Sequence, residues 1–159
     1  MKMNPWTTTT AGLLALCLAQ SAGAQQSLAA APAKAPLGRW ITESGNLEVD
    51  IVPCAGETLC GKVVRVLGNR SMSAPGTEMA AADARPALGM TLLSGLRPSD
   101  GGNTEYQGEI YNRENAKTYR ATLTPAEPDQ LLVRAYVGIP LFGKTQVWRR
   151  PGAEHGGVQ

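Results

Sequence analysis

From Leu37 onward, apolar residues recur mostly at every second position, and glycines and prolines cut that pattern into short runs. A period of two belongs to half-buried strands; a helix returns its apolar stripe every three or four residues. Leu47, Val49 and Ile51 alternate with Glu48 and Asp50, and Tyr119, Ala121 and Leu123 alternate with Thr118, Arg120 and Thr122. Each run has one apolar face and one wet face. The reading gives strands at Gly38–Glu43, Asn46–Val52, Leu59–Leu67, Met90–Leu96, Thr104–Tyr111, Lys117–Thr124, Gln130–Val137 and Gly143–Arg150. Breakers fall between them at Ser44-Gly45, Pro53, Asp100-Gly101-Gly102, Pro125, Pro128 and Gly138/Pro140. No expected strand contains a proline, whose nitrogen cannot donate to a ladder. Mostly short connections between about eight such strands predict an all-β, antiparallel up-and-down barrel, because closure removes the exposed edges.

One connection is long. Gly68 to Gly89 far exceeds a hairpin loop, and within it Glu78–Arg85 has helix-forming composition sufficient for two turns. It reads either as a lid over a barrel mouth or as a surface excursion.

The two ends read differently from the middle. Met1 to Ala24 has the form of a secretory signal, with Lys2, a short apolar core at Ala11–Ala19 and a small-residue cleavage site at Ala22-Gly23-Ala24. The core is too short to cross a hydrocarbon layer about 30 Å thick, which takes roughly 20 residues. A lipoprotein signal ending at Cys17 is disfavoured because Leu16, just before it, is large. Cleavage after Ala24 sends the protein to the periplasm or outside the cell, with no transmembrane segment remaining. Residues 25–36 then form an Ala/Pro/Gln linker, 37–150 a single domain, and 151–159 a disordered tail.

Cleavage also removes Cys17 and leaves Cys54 with Cys60. In an oxidising compartment such a pair reads as one disulfide, contributing about 2 kcal/mol for so short a loop. A redox pair usually has the tighter Cys-x-x-Cys spacing, and a metal site needs further ligands. The single histidine, His155, lies in the tail.

Charge and motif exclude further classes. Lys plus Arg number 15 and Asp plus Glu 13, a net charge of +2 that gives no basic face for nucleic acid. There is no phosphate loop, dinucleotide fingerprint or metal cluster, so no cofactor is expected. A triad has no base besides His155, and the carboxylate pairs Glu48/Asp50 and Glu105/Glu109 sit on outward faces. The sequence therefore reads as a non-enzyme.

The strand at Gln130–Val137 is apolar on both sides. Leu132, Arg134 and Tyr136 share one face; Leu131, Val133, Ala135 and Val137 share the other. If the first face points inward, Arg134 is a partly buried cation suited to a ligand carboxylate, with Leu132 and Tyr136 beside it. If it points outward, Glu109 or Asp129 is its expected partner.

Gly38-Arg39-Trp40 on the first strand and Trp148-Arg149 on the last resemble the closed end of lipocalin-like barrels. The resemblance implies that Trp40 packs across the barrel floor with the Arg149 cation against an indole, a contact worth about 0.5–2 kcal/mol. A longer match covers Arg85-Pro86-Ala87-Leu88-Gly89, Gly108-Glu109-Ile110-Tyr111, Lys117-Thr118-Tyr119 and the run from Val133 to Arg149. These segments resemble the bacterial envelope family called domain of unknown function 2147, over about Gly38 to Arg150. Its most distinctive part here is Val137-Gly138-Ile139-Pro140-Leu141-Phe142-Gly143, a turn whose apolar side chains can cover a barrel end. The sequence departs from the family at Asn112-Arg113-Glu114-Asn115-Ala116, where an acidic, glycine-ended turn is usual, and at Ala135, where glycine is usual. The resemblance implies a fold and a compartment and no activity.

Together these features predict a secreted barrel binding a small apolar or amphipathic, lipid-like ligand. The alternative is an envelope protein-binding or structural module with a filled interior and no identified partner. The position of Ile139, Leu141 and Phe142, plugging the barrel or lying outside it, separates the two.

Overall fold

The computed structural model describes residues 35–100 and 104–152. The expected signal at 1–24, most of the linker, Gly101-Gly102 and most of the tail with His155 lie outside the described residues. Eight strands form, β1 (Gly38–Ile41), β2 (Leu47–Cys54), β3 (Thr58–Val66), β4 (Thr91–Pro98), β5 (Tyr106–Asn112), β6 (Lys117–Glu127), β7 (Gln130–Tyr136) and β8 (Lys144–Arg149). Every neighbour pair is antiparallel, and the sheet closes in sequence order into a barrel.

The β1–β8 seam is short, with one ladder pair, Ile41 opposite Arg149. Side chains complete it. Glu43 accepts the Val147 N–H at 2.7 Å, and Arg150 Nη1 donates to the carbonyls of Leu37 and Arg39. Trp40 is buried at the same end, its Nε1 donating to the Pro36 carbonyl at 2.9 Å, with the Arg150 guanidinium 3.7 Å from its ring centre. The cation on the floor is thus Arg150, whereas the expected Arg149 lies exposed on the outside of β8. Gly38 has φ +89°, and a Cβ there would stand 2.9 Å from Arg150 Nη1, so a side chain at this position would be strained and would push the Arg150 side chain aside.

Inward side chains from Trp40, Val49, Ile51, Val63, Leu93, Leu96, Ala121, Leu123, Leu131 and Val133 fill the closed half. Packing there is tight enough that a Cβ on Gly61 would meet Leu93 and Val49 at 2.9 Å. The Cys54–Cys60 disulfide bridges the β2–β3 hairpin at this end, with the two Cα atoms 5.8 Å apart.

Two local expectations are corrected. Pro53 and Pro125 lie within strands rather than between them, Pro53 opposite Leu59 near the hairpin and Pro125 opposite Leu131 beside a register shift, while Pro98 ends β4. Strand ends and bulges are places where a missing N–H is tolerated. The segment Glu78–Arg85 forms no helix. Its amides are committed elsewhere: Met79 N–H to Asn69, Ala82 N–H to Glu114 and Asp83 N–H to Arg113. Among the described residues the helix that does form is a single 3₁₀ turn, Pro140–Phe142.

Candidate functional site

The half of the barrel opposite the disulfide is hollow. A cavity of about 450 Å3 opens between the β1–β2, β5–β6 and β7–β8 hairpins. Leu47, Leu92, Ile110, Ala135 and Trp148 make its inner wall, and Tyr111 and Tyr119 also line it. A hollow of this size, walled mostly by apolar groups with a few fixed polar ones, is the usual form of a small-molecule site. Gln146 supplies one such group. Its Oε1 accepts from Trp148 Nε1 at 3.0 Å, which orients the amide and leaves Nε2 3.9 Å from the Met72 sulfur.

The long β3–β4 connection lies over this mouth and contributes Met72, Ser73 and Met79 to the lining. Three tethers hold it. Asn46 in the β1–β2 turn accepts the Arg70 N–H at 2.8 Å and donates to the Arg70 carbonyl at 2.7 Å. Glu114 in the β5–β6 turn accepts the hydroxyls of Ser71 and Ser73 and the amides of Met72 and Ser73. Asp83 accepts Tyr111 Oη–H at 2.7 Å and the Arg85 guanidinium at 2.6 Å. Of the two readings of this connection, a lid or a surface excursion, the structure shows an irregular strap over the mouth, tied to both flanking hairpins.

These contacts set the electrostatics. Donation by Ser71 and Ser73 holds the Glu114 carboxyl below its ordinary value of 4.5. Arg85 and Tyr111 hold Asp83 well below the usual carboxylate range, and in return the Tyr111 phenol is raised. The unfolded chain therefore binds protons before the folded one does. The stability carried by these carboxylates is present above the ordinary carboxylate range and drains as pH falls through the lowered folded values. Between about pH 5 and about pH 3 the thermal midpoint is expected to fall, and the fall to be shallower in Glu114→Gln. At neutral pH the same variant is expected to exchange the Met72 and Ser73 amides faster by hydrogen–deuterium exchange. Unchanged protection would contradict the tether.

The sequence candidates fall elsewhere. Leu131 and Val133 are fully buried inward residues, so Leu132, Arg134 and Tyr136 face outward, away from the cavity. Arg134 pairs with neither Glu109 nor Asp129: Nε donates to the Pro140 carbonyl at 2.6 Å, Nη2 to the Leu141 carbonyl at 3.0 Å and Nη1 to Thr145 Oγ1 at 2.7 Å. The turn at Gly138–Gly143 does not cover the barrel end. Ile139, Leu141 and Phe142 lie outside it, exposed by 53%, 74% and 80%.

Of the residues at the cavity's rim, Asn46, Arg113 and Glu114 were not legible as site residues because their partners are distant in the chain, and Lys144 because its side chain has no hydrogen-bond partner among the described residues. A glutamate inside a tight turn facing a Ser-Met-Ser run was the available signal. Arg113 Nη2 donates to the Arg85 carbonyl at 3.0 Å, while its buried Nε has no hydrogen-bond partner among the described residues.

Comparison with family models matches residues 38–150 to the family described as "Uncharacterized protein conserved in bacteria (DUF2147)". The chain belongs to this family. In fold it is similar to protein HP1028 from Helicobacter pylori, described as belonging to the lipocalin family, with a TM-score of 0.51 and 19% identity over 74% of this chain and 84% of that one. Comparison with curated proteins finds no match. This member of the DUF2147 family is thus a closed, lipocalin-like eight-stranded barrel.

Proposed function

We propose that this DUF2147 protein binds one small apolar or amphipathic molecule in the open half of its barrel, as an envelope carrier or sensor rather than an enzyme. The observation that carries the reading is the 450 Å3 cavity, walled by Leu47, Leu92, Ile110, Ala135 and Trp148 beneath the tethered strap. Lipocalin-like barrels of eight strands have room for one such ligand. Arg113 and Lys144 bring two cations to the cavity, which suits a ligand whose polar end is anionic and whose tail lies toward Trp148. The Cys54–Cys60 disulfide supports an oxidising compartment, in keeping with the signal expected at 1–24.

The test is a titration with dansyl-labelled undecanoate, an anionic amphiphile that brightens in apolar surroundings. One saturable site per chain is expected, with Trp148 fluorescence transferred to the dansyl group. Linear, unsaturable brightening would contradict the proposal.

The second reading, a protein-binding or structural module, draws on one observation. The apolar residues of the Gly138–Gly143 turn stand free of the barrel rather than plugging it.

A further inference from the structure

The turn between β7 and β8 is a constructed feature rather than a slack loop. Residues 135–143 read Ala-Tyr-Val-Gly-Ile-Pro-Leu-Phe-Gly, without a charge. Val137, Ile139, Leu141 and Phe142 are exposed by 75%, 53%, 74% and 80%. Exposed apolar side chains are ordinary when scattered, but four within six residues form a patch.

The backbone beneath them is fixed. Arg134 holds the carbonyls of Pro140 and Leu141, the Gly143 N–H closes the 3₁₀ turn on Pro140, and the Phe142 N–H reaches the Ile139 carbonyl. Gly143 is required for this fit, since a Cβ there would lie 2.8 Å from the Ala135 carbonyl and 3.0 Å from Arg134 Cγ. The fold spends an arginine on holding a hydrophobic ridge outward. That arrangement suits an apolar occupant from outside the chain.

Charge around the ridge selects the occupant. Residues 130–148 carry Arg134 and Lys144 and no carboxylate, while Arg149 lies at the far, closed end of β8. On the adjoining strand β6, Arg120 is exposed on the outer face and Lys117 is exposed at the first position of the strand, at the mouth. The carboxylates at this end are Glu109, opposite Arg120 on β5, Glu43, which accepts the Val147 N–H, and Glu114, which is taken up by Ser71 and Ser73. The ridge is therefore backed by Lys144 at its base on β8 and by Lys117 and Arg120 on β6. Ala135 and Lys144, at its base, also line the cavity.

We propose that this ridge docks the open end of the barrel onto an anionic lipid bilayer, with Ile139, Leu141 and Phe142 entering the interface and the β6 and β8 cations meeting headgroups. Docking by the ridge does not depend on what occupies the cavity.

The test uses protein purified from cells expressing the full gene, its N-terminus read by mass spectrometry. It is sedimented with vesicles of phosphatidylethanolamine and phosphatidylglycerol, or of phosphatidylcholine alone. The parent is expected to pellet with the anionic vesicles, less so as salt is raised, and only weakly with phosphatidylcholine. Leu141→Asp/Phe142→Asp is expected to weaken that binding by about tenfold or more, and Lys117→Glu/Arg120→Glu by a smaller factor. Both double variants alter exposed side chains, so their thermal midpoints should match the parent's. The ridge variant should also bind dansyl-undecanoate as the parent does, which separates failure of docking from failure of the cavity.

Equal binding of parent and ridge variant, equal binding to the two vesicle types, or no parent binding overturns the proposal. So does a parent dimer that the ridge variant dissolves, which would assign the ridge to a second copy of the chain.

Discussion

Trp40→Ala is expected to destabilise the barrel by about 3–5 kcal/mol, a large share of the roughly 5–15 kcal/mol that holds a domain of this size together. The indole is the largest side chain buried at the closed end, only 1% exposed. Its removal takes away inward packing, orphans the Pro36 carbonyl and strips the Arg150 guanidinium of its ring. No neighbour can collapse into the space readily, because closed strands fix the surrounding backbone. Arg150→Ala should cost about 1–2 kcal/mol through the lost cation–π contact and the two seam hydrogen bonds. Arg149→Ala, on an exposed side chain, should stay within about 0.5 kcal/mol of the parent. Urea unfolding of the three variants checks the ranking. A larger cost for Arg149 than for Arg150 would contradict the floor described above.

Ala135→Phe is expected to reduce dansyl-undecanoate affinity by about a hundredfold or more while changing stability by less than about 1.5 kcal/mol. Ala135 sits on the inner side of β7, lines the cavity and pairs with Lys144 on the neighbouring strand β8. A phenyl ring there occupies the space that a ligand tail would use, and the hollow accepts it without compressing the filled half. Arg134→Ala, by contrast, should leave the probe's affinity unchanged, since that guanidinium lies on the outside. Titration of both variants separates the two faces of β7. Loss of affinity in Arg134→Ala with none in Ala135→Phe would place the ligand outside the barrel.

Much of the architecture was legible in the residues because barrel closure imposes a strict period of two. Leu47/Val49/Ile51 and Tyr119/Ala121/Leu123 point inward as their alternation predicts, and each expected strand overlaps an observed one. Proline misled where a strand tolerates it, at Pro53 and Pro125, since periodicity carries no record of which amide needs a partner. The face of β7 was ambiguous for a physical reason. Its outer side is also apolar, because the 138–143 turn folds back over it and Arg134 fastens that turn down.

The site was far less legible. Helix propensity at Glu78–Arg85 was overridden by hydrogen bonds to Asn69, Arg113 and Glu114, partners supplied only by the fold. Glu114 finds Ser71 and Ser73 more than forty residues away. In the sequence, Glu114 marked only a departure from the family's usual turn, whereas in the barrel it ties down the strap over the cavity. Residue types and spacing record local geometry well. A mouth assembled from three hairpins and a long connection leaves no local signature.

The central claim is that the open half of this barrel holds a small molecule. Native mass spectrometry of the protein recovered from its producing cells, before and after organic extraction, tests it most directly. The account predicts an added mass that extraction removes and that incubation with envelope lipid extract restores. A bare protein mass that persists after that incubation would contradict it.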